Sequence, residues 1–141
     1  MSHVTLIDLF ITDLESLGKA CDRLGLELVR NQKTFKSYQV GLRCEHLIRA
    51  KKTIDGLGYE MGLVKRADGK AGYALSWDHT MAQDLVSAVT YDGKINYGAK
   101  GNADKLKDWY AAEVTKKQMR RQGFRVNAVQ KDRKVQVLCS K

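Results

Sequence analysis

Apolar and polar positions divide the chain into predicted strands and helices. Residues 4–11 are apolar on both faces, which is typical of a strand inside a sheet. A helix is expected next, because Thr12 and Glu15 form a capping-box pattern and Gly25 supplies a stop. The apolar face of this helix comprises Leu14, Leu17, Cys21 and Leu24. We expect that face to pack against the sheet.

The middle of the chain predicts a hairpin. Residues 26–30 have the pattern of a strand, and residues 31–52 are irregular, with room for one short strand. Residues 59–65 and 71–77 alternate apolar and polar side chains on either side of an Asp68-Gly69 turn. Two alternating runs joined by such a turn are a strong hairpin signal.

The last third of the chain predicts two helices and a second hairpin. A short amphipathic helix is expected over 80–91, a Gly- and Asn-rich connection over 92–102, and a longer helix over 103–122. Strands at 124–129 and 135–139 then form the last hairpin.

The predicted order, β-α-β-β-β-α-α-β-β, indicates an α+β fold, with a mainly antiparallel sheet and helices packed on one face. The chain is expected to form one domain, 1–141, with an insertion or flexible loop at 80–108. No stretch approaches the ~20 apolar residues of a membrane span, and the N-terminus lacks a secretory signal pattern. Three widely spaced cysteines favour a cytoplasmic location.

Charge adds the main functional clue. The formal net charge is +9, and it is unevenly distributed. Residues 1–28 and 67–108 carry −3 and −1, whereas residues 29–66 and 109–141 carry +6 and +7. If folding brings the two basic segments together, they form a positive face suited to a polyanion. The alternative is that these cations solvate scattered surfaces.

The end of the long helix is the first candidate for such a face. At 100° per residue its cations fall within an arc of about 140°, which predicts an exposed ridge opposite a core-facing side. The predicted ridge comprises Lys116, Lys117, Arg120 and Arg121, with Arg125 at the start of the next strand, and the core-facing side comprises Ala111, Thr115 and Met119. On this hypothesis, Lys117→Glu with Arg121→Glu abolishes binding and leaves the fold intact. Cations at a helix C-terminus also complement the helix dipole, which is the alternative.

The other basic segment supplies a second set of candidate binding residues. They are Lys33, Lys36, Arg43, Arg49, Lys51 and Lys52.

Catalytic signals are weak, so we expect no enzymatic activity, no metal and no cofactor. Asp78 and His79 are adjacent, and neighbours in an extended segment point to opposite faces. Cys44 and His46 share one side of a predicted strand and are a candidate nucleophile–base pair. The simpler interpretation is a partly buried thiol beside a surface histidine. The chain lacks a nucleophile elbow, a phosphate-binding glycine loop and the His-Glu-x-x-His motif.

Three segments resemble the hypothetical chloroplast reading frame 35 family, also called domain of unknown function 1257, of plastids, cyanobacteria and bacteriophages. The first segment is the start of the chain, with Met1-Ser2-His3, Asp13-Leu14-Glu15 and Leu24-Gly25. The second is 57–78, which runs from Leu57-Gly58-Tyr59 through Asp68-Gly69 to Trp77-Asp78. The third runs from Tyr110-Ala111 through Arg120-Arg121-Gln122-Gly123-Phe124 into the last hairpin. The likeness covers about two thirds of the chain. Residues 80–108 depart from the family pattern, and Trp77 is the only tryptophan of the central segment, where the family has a pair. The resemblance implies an α+β fold, no particular reaction, and a bacteriophage accessory protein as one setting.

The sequence therefore favours a small, basic, non-enzymatic binding protein for an anionic partner, either nucleic acid or a nucleotide-like ligand. The alternative is a protein–protein interaction module or inhibitor that docks on an acidic host protein. Because the last hairpin ends the chain and predicts an open sheet edge, we also expect a homodimer.

Overall fold

The computed structural model describes residues 4–38, 40–53, 57–78, 82–93 and 103–141, with side chains from Ile11 onward. The elements within these ranges are β1 (Val4–Ile11), α1 (Leu14–Arg23), β2 (Leu26–Val29), β3 (His46–Ala50), β4 (Met61–Lys65), β5 (Tyr73–Asp78), α2 (Gln83–Val89), α3 (Asp104–Arg121), β6 (Arg125–Lys131) and β7 (Lys134–Ser140).

The larger sheet has five strands in the order β1-β5-β4-β3-β2, and every neighbouring pair is antiparallel. Strands β2 to β5 form a meander, and β1 joins it beside β5. Because β1 and β2 lie at opposite edges of the sheet, the chain crosses one face of the sheet to connect them. Helix α1 forms that crossing.

The main core lies on this covered face. Alternate residues of paired strands share a face, so Ile48, Leu63, Leu75 and Trp77 point to one side, and each is fully buried. The helices cover them with Leu17, Ala20, Cys21, Leu85, Val89, Leu106 and Trp109. The expected packing of the first helix against the sheet is confirmed.

Helix α1 begins later than the capping-box pattern predicts. Its N-cap is Asp13, whose Oδ1 accepts the Ser16 N–H at 3.1 Å and whose Oδ2 accepts the Ser16 hydroxyl at 2.9 Å. Thr12 lies outside the helix, and its N–H donates to the Tyr110 hydroxyl at 3.1 Å. The predicted box of Thr12 and Glu15 is wrong, because aspartate is at least as good an N-cap as threonine.

The opposite face of the sheet carries a small second cluster. Phe35 packs there with Cys44 and Leu47, and all three are buried. A Cβ on Gly62 would lie 2.5 Å from the Phe35 ring. Strand β4 therefore requires glycine at this position, because only a bare backbone lets the ring lie on the sheet.

Strands β6 and β7 form a separate two-stranded antiparallel sheet, here called the ribbon. It turns at Asp132, whose φ of 55° is in the left-handed region that aspartate tolerates. The ribbon packs mainly on α3, and α3 packs in turn on α1 and α2. Buried Ala128 and half-buried Val135 and Val137 make this contact. The ribbon is thus attached to the core through α3.

The α+β class, the antiparallel pairing and both hairpins are confirmed. The predicted order lacks one strand, because the irregular segment 31–52 contains β3, where His46 and Arg49 interrupt the apolar pattern. The helix predicted over 80–91 is α2, and it contributes to the core. The connection predicted over 92–102 lies outside the described residues from residue 94 onward. Among the helices that the structure describes, none is long and apolar enough to cross a membrane.

Candidate functional site

Helix α3 is rotated relative to the orientation that the sequence predicts. Ala111 and Thr115, which were expected to face the core, are exposed, and Met119 is half-buried. The buried side comprises Leu106, Trp109, Tyr110, Ala112, Glu113 and Lys116. The prediction is wrong because it placed the core opposite the arc of cations, and one of those cations, Lys116, itself belongs to the buried side.

A buried ionic cluster explains why charged residues lie on that side. Glu113 is 4% exposed, and its Oε1 accepts a hydrogen bond from Lys116 Nζ at 3.3 Å. Arg23 of α1 approaches the same oxygen at 3.6 Å and lies 4.5 Å above the centre of the Trp109 ring. A buried carboxylate needs such partners, because leaving it unpaired away from water is costly.

A second ionic contact joins the start of α1 to the last third of α3. Lys117 Nζ lies 3.0 Å from Asp13 Oδ2 and 3.6 Å from Glu15 Oε2. Burial alone would raise the pKa of Asp13, but hydrogen bonds from Ser16 and Lys117 outweigh it and lower that pKa to about 2. The hydrogen bond to Asp13 in turn raises the pKa of Lys117. Lys117 therefore stabilises the junction of the two helices.

Two of the four cations of the predicted ridge are thus engaged in the α1–α3 interface. The prediction that Lys116 and Lys117 form an exposed arc is wrong, because Lys116 is buried and Lys117 is half-buried and ion-paired. Arg120, Arg121 and Arg125 are exposed as predicted.

The second set of candidate cations is interleaved with acids. Arg49 pairs with Glu27 across β2 and β3 at 3.0 Å, and Lys51 pairs with Asp22 at 3.1 Å. The remaining members, Lys33, Lys36, Arg43 and Lys52, are exposed.

The two basic segments belong to different elements. Residues 33–38 and 40–43 lie between β2 and β3, where Thr34 pairs with Arg43, whereas the other segment ends in the ribbon on α3. Glu60 also lies beside the first of these segments, since its Oε1 accepts the Lys36 N–H at 2.7 Å.

The cations that remain exposed near the C-terminus define what we call the C-terminal basic surface. It comprises Arg120, Arg121, Arg125, Lys131, Arg133, Lys134 and Lys141. Asp132 is the only acid in the sequence from 120 to 141. Within the described part of the chain, no ion pair involves any member of this surface. The binding residues predicted from the sequence do not include Lys131, Arg133, Lys134 and Lys141, because the helical arc ends before them and their charge was weighed only against a dimer through the last hairpin.

The register of the ribbon sorts its residues onto two faces. The inner face carries Ala128 and Val137, which are paired and point to α3. The outer face comprises Arg125, Asn127, Val129, Lys131, Lys134, Gln136, Leu138 and Ser140, and all eight are exposed. None of these eight residues is acidic.

Cations lie at both ends of this outer face and uncharged side chains lie at its centre. Lys131 and Lys134 are partners across the two strands beside the turn, next to Arg133. At the other end Arg125 pairs with Ser140, and Lys141 Nζ lies 5.4 Å above the centre of the Phe124 ring. Six residues of strand, at ~3.4 Å each, separate the two ends by about 20 Å.

A shallow groove of about 270 Å³ lies between α3 and β7. Its floor is made of small or β-branched side chains such as Ala111, Thr115 and Val135, with Asp108 and Lys134 as its charged residues. One lysine and one aspartate in the lining give no excess of positive charge, so the groove is a poor site for a phosphate group.

The candidate nucleophile–base pair is not assembled. Cys44 packs with Phe35 on one face of the sheet, whereas the His46 ring meets the Tyr73 ring edge-on, with centroids 4.9 Å apart, beside the main core. Burial and the neighbouring Glu60 raise the pKa of the Cys44 thiol to about 11, so the thiolate is disfavoured at neutral pH. His46 is buried, and its Nδ1 accepts the Asn31 N–H at 2.9 Å. The expectation of a surface histidine is therefore wrong as well.

Other catalytic candidates are limited. Asp78 is buried at the end of β5, and His79 lies outside the described residues. In the ranges that the structure covers, no three His, Cys, Asp or Glu side chains are grouped to hold a metal ion.

Comparison with family models, with curated proteins and with solved structures finds no match to this chain. The resemblance to the chloroplast reading frame 35 family stays a prediction from the sequence.

Proposed function

We propose that this chain is a non-enzymatic nucleic-acid-binding protein whose contact is the C-terminal basic surface. The observation that supports the proposal is the contrast between two groups of cations. Lys116, Lys117, Arg49 and Lys51 have acidic partners, whereas the seven members of the C-terminal basic surface have none among the described acids. The other basic segment has four such cations among its candidates, Lys33, Lys36, Arg43 and Lys52, so the C-terminal basic surface is the larger group. Exposed cations concentrated on one surface raise the local potential and attract a polyanion.

The spacing of the cations favours a polymer over a small anion. The two ends of the outer face are about 20 Å apart, which is farther than the phosphates of one nucleotide reach. The groove beside this surface contains one lysine and one aspartate. A chain of phosphates satisfies separated cations, and a nucleotide-like ligand does not.

The test is the salt dependence of binding. A fluorescent 20-base-pair duplex is titrated with protein at several salt concentrations, and affinity is read from anisotropy. On duplex DNA each phosphate contact contributes about −0.9 to the slope of log affinity against log salt, so seven contacts give a slope of about −6. Absence of binding to duplex and single-stranded DNA and RNA at low salt contradicts the proposal and favours an acidic protein surface as partner.

Two further proposals concern the location of the protein in the cell and its oligomeric state. A cytoplasmic location agrees with three unpaired cysteines, of which Cys139 is exposed. A homodimer through a ribbon edge stays a prediction, and a monomeric mass by light scattering at micromolar concentration contradicts it.

A further inference from the structure

We propose that the outer face of the ribbon enters the major groove of duplex DNA and contacts base edges with its central side chains. This inference rests on the proposed function, because it specifies which nucleic acid is bound and how. It concerns the eight outer-face residues and not the rest of the C-terminal basic surface.

The shape of the ribbon fits this groove. The major groove of B-DNA is about 12 Å wide and admits a two-stranded β-ribbon. The inner face packs on α3 and all eight outer-face side chains are exposed, so an approaching duplex meets the outer face first. Its length of about 20 Å corresponds to about six base pairs at ~3.4 Å per step.

The outer face combines side chains suited to phosphates with side chains suited to base edges. Arg125 stands at one end, and Lys131 and Lys134 stand at the other, where long cationic side chains reach the phosphates on either side of the groove. Between them, Asn127 is paired with Leu138 and Val129 with Gln136. This centre offers two amides and two apolar side chains.

These four central side chains are of the types that recognise A·T pairs. Asparagine and glutamine form paired hydrogen bonds with adenine N6 and N7, and apolar side chains contact the thymine methyl group. Asn127 Oδ1 already accepts the Ala128 N–H at 2.9 Å. A carboxamide oxygen has a second lone pair, so this bond is compatible with a base contact through Oδ1 and Nδ2. We therefore expect A·T pairs at the centre of the preferred site.

The composition of the ribbon argues against single strands and RNA duplexes. Single-strand binding uses aromatic side chains on which bases stack, and residues 125–141 contain no aromatic side chain. The major groove of A-form RNA is deep and narrow, so protein side chains do not reach its base edges. The composition of the ribbon therefore favours B-form DNA as the nucleic acid that it binds.

Atomic changes confined to the major groove test the inference. Binding sites are first selected from random duplexes, and the preferred duplex is then rebuilt with 7-deaza-adenine for adenine and, separately, with deoxyuridine for thymidine. Each change removes one major-groove group and leaves the minor groove intact. We expect the first to weaken wild-type binding about fivefold and the second about threefold.

Protein variants assign that loss to the ribbon centre. Asn127→Ala with Gln136→Ala removes both amides and should lose the response to 7-deaza-adenine, whereas the response to deoxyuridine should remain, because Val129 and Leu138 are unchanged. The matched control is Gln118→Ala with Gln122→Ala, two exposed amides of the α3 end, which should behave like wild type.

The results separate this inference from the proposed function. Salt-dependent duplex binding that is indifferent to both base changes, or single strands bound as tightly as duplex, overturns the major-groove inference and leaves nucleic-acid binding in place. Absence of binding to every nucleic acid overturns both the major-groove inference and the proposed function.

Discussion

Lys117 Nζ lies 3.0 Å from Asp13 Oδ2, so a lysine of α3 contacts the carboxylate that caps α1. The same Asp13 oxygen accepts the Ser16 hydroxyl. The hydroxyl of Tyr110, about two helical turns before Lys117, accepts the backbone N–H groups of Thr12 and Asp13 at 3.1 and 3.2 Å. Two side chains of α3 therefore fix the point at which the chain leaves β1 and enters α1.

The first prediction concerns this contact. Lys117→Glu should lower the melting temperature by about 3 to 5 °C, because it places a third carboxylate beside Asp13 and Glu15. Arg121→Glu is the matched control and should melt within about 1 °C of wild type, because Arg121 is exposed and lies outside every described ion pair. Equal melting of both variants contradicts the interface role of Lys117.

The second prediction concerns pH. Because the pKa of Asp13 is lowered to about 2 from an ordinary value of 3.8, the carboxylate stabilises the folded protein at pH values above its unfolded pKa. That contribution should be lost as pH falls from about 4 to about 2. In chemical unfolding experiments, Asp13→Asn should lose less stability than wild type across this window. Parallel curves for the two proteins would show that Asp13 does not contribute to acid unfolding.

The third prediction concerns the buried ionic cluster. Glu113→Ala should cost about 3 kcal/mol, because it leaves Lys116 buried without its carboxylate. Glu113→Leu with Lys116→Met should recover most of this loss, because well-packed apolar side chains replace a buried ion pair at little net cost. Urea unfolding measures both variants, and a double variant as unstable as Glu113→Ala contradicts this explanation.

The fourth prediction concerns binding. Arg125→Glu with Lys131→Glu should weaken duplex DNA binding at least a hundredfold and make the salt slope less steep by about 2, because each lysine or arginine lost from a phosphate removes about one unit. Lys33→Glu with Arg43→Glu changes the net charge by the same amount on the other basic segment. This control should bind within about threefold of wild type, and equal losses in both variants contradict a localised site.

Local patterns in the sequence predicted most of the fold. The Asp68-Gly69 turn and the alternation around it specify the β4–β5 hairpin, and Gly123 follows the end of α3 at Arg121. The segment 31–52 was expected to have room for one short strand, but the predicted order does not include β3, because its pairing with β2 and β4 depends on partners distant in sequence and its own pattern contains His46 and Arg49. Tertiary pairing overrides local pattern in such short strands.

The candidate site was predicted only in part, because charge does not reveal pairing. Arg120, Arg121 and Arg125 are exposed as expected. Lys116 and Lys117 do not belong to the exposed arc, because Glu113 pairs with Lys116 and Asp13, which is distant in the chain, pairs with Lys117. The outer face of the ribbon depends on β-register, which a search at helical spacing does not detect.

The cysteines give the molecule a natural attachment point for a reporter group. Cys21 and Cys44 are buried, and burial raises the pKa of their thiols to about 12 and about 11, so neither should react with a maleimide at neutral pH in the folded protein. Cys139 is exposed in β7, paired with Val126 at the end of the ribbon nearest the C-terminus. A dye on the wild-type chain should therefore report on the ribbon alone, without any engineered cysteine.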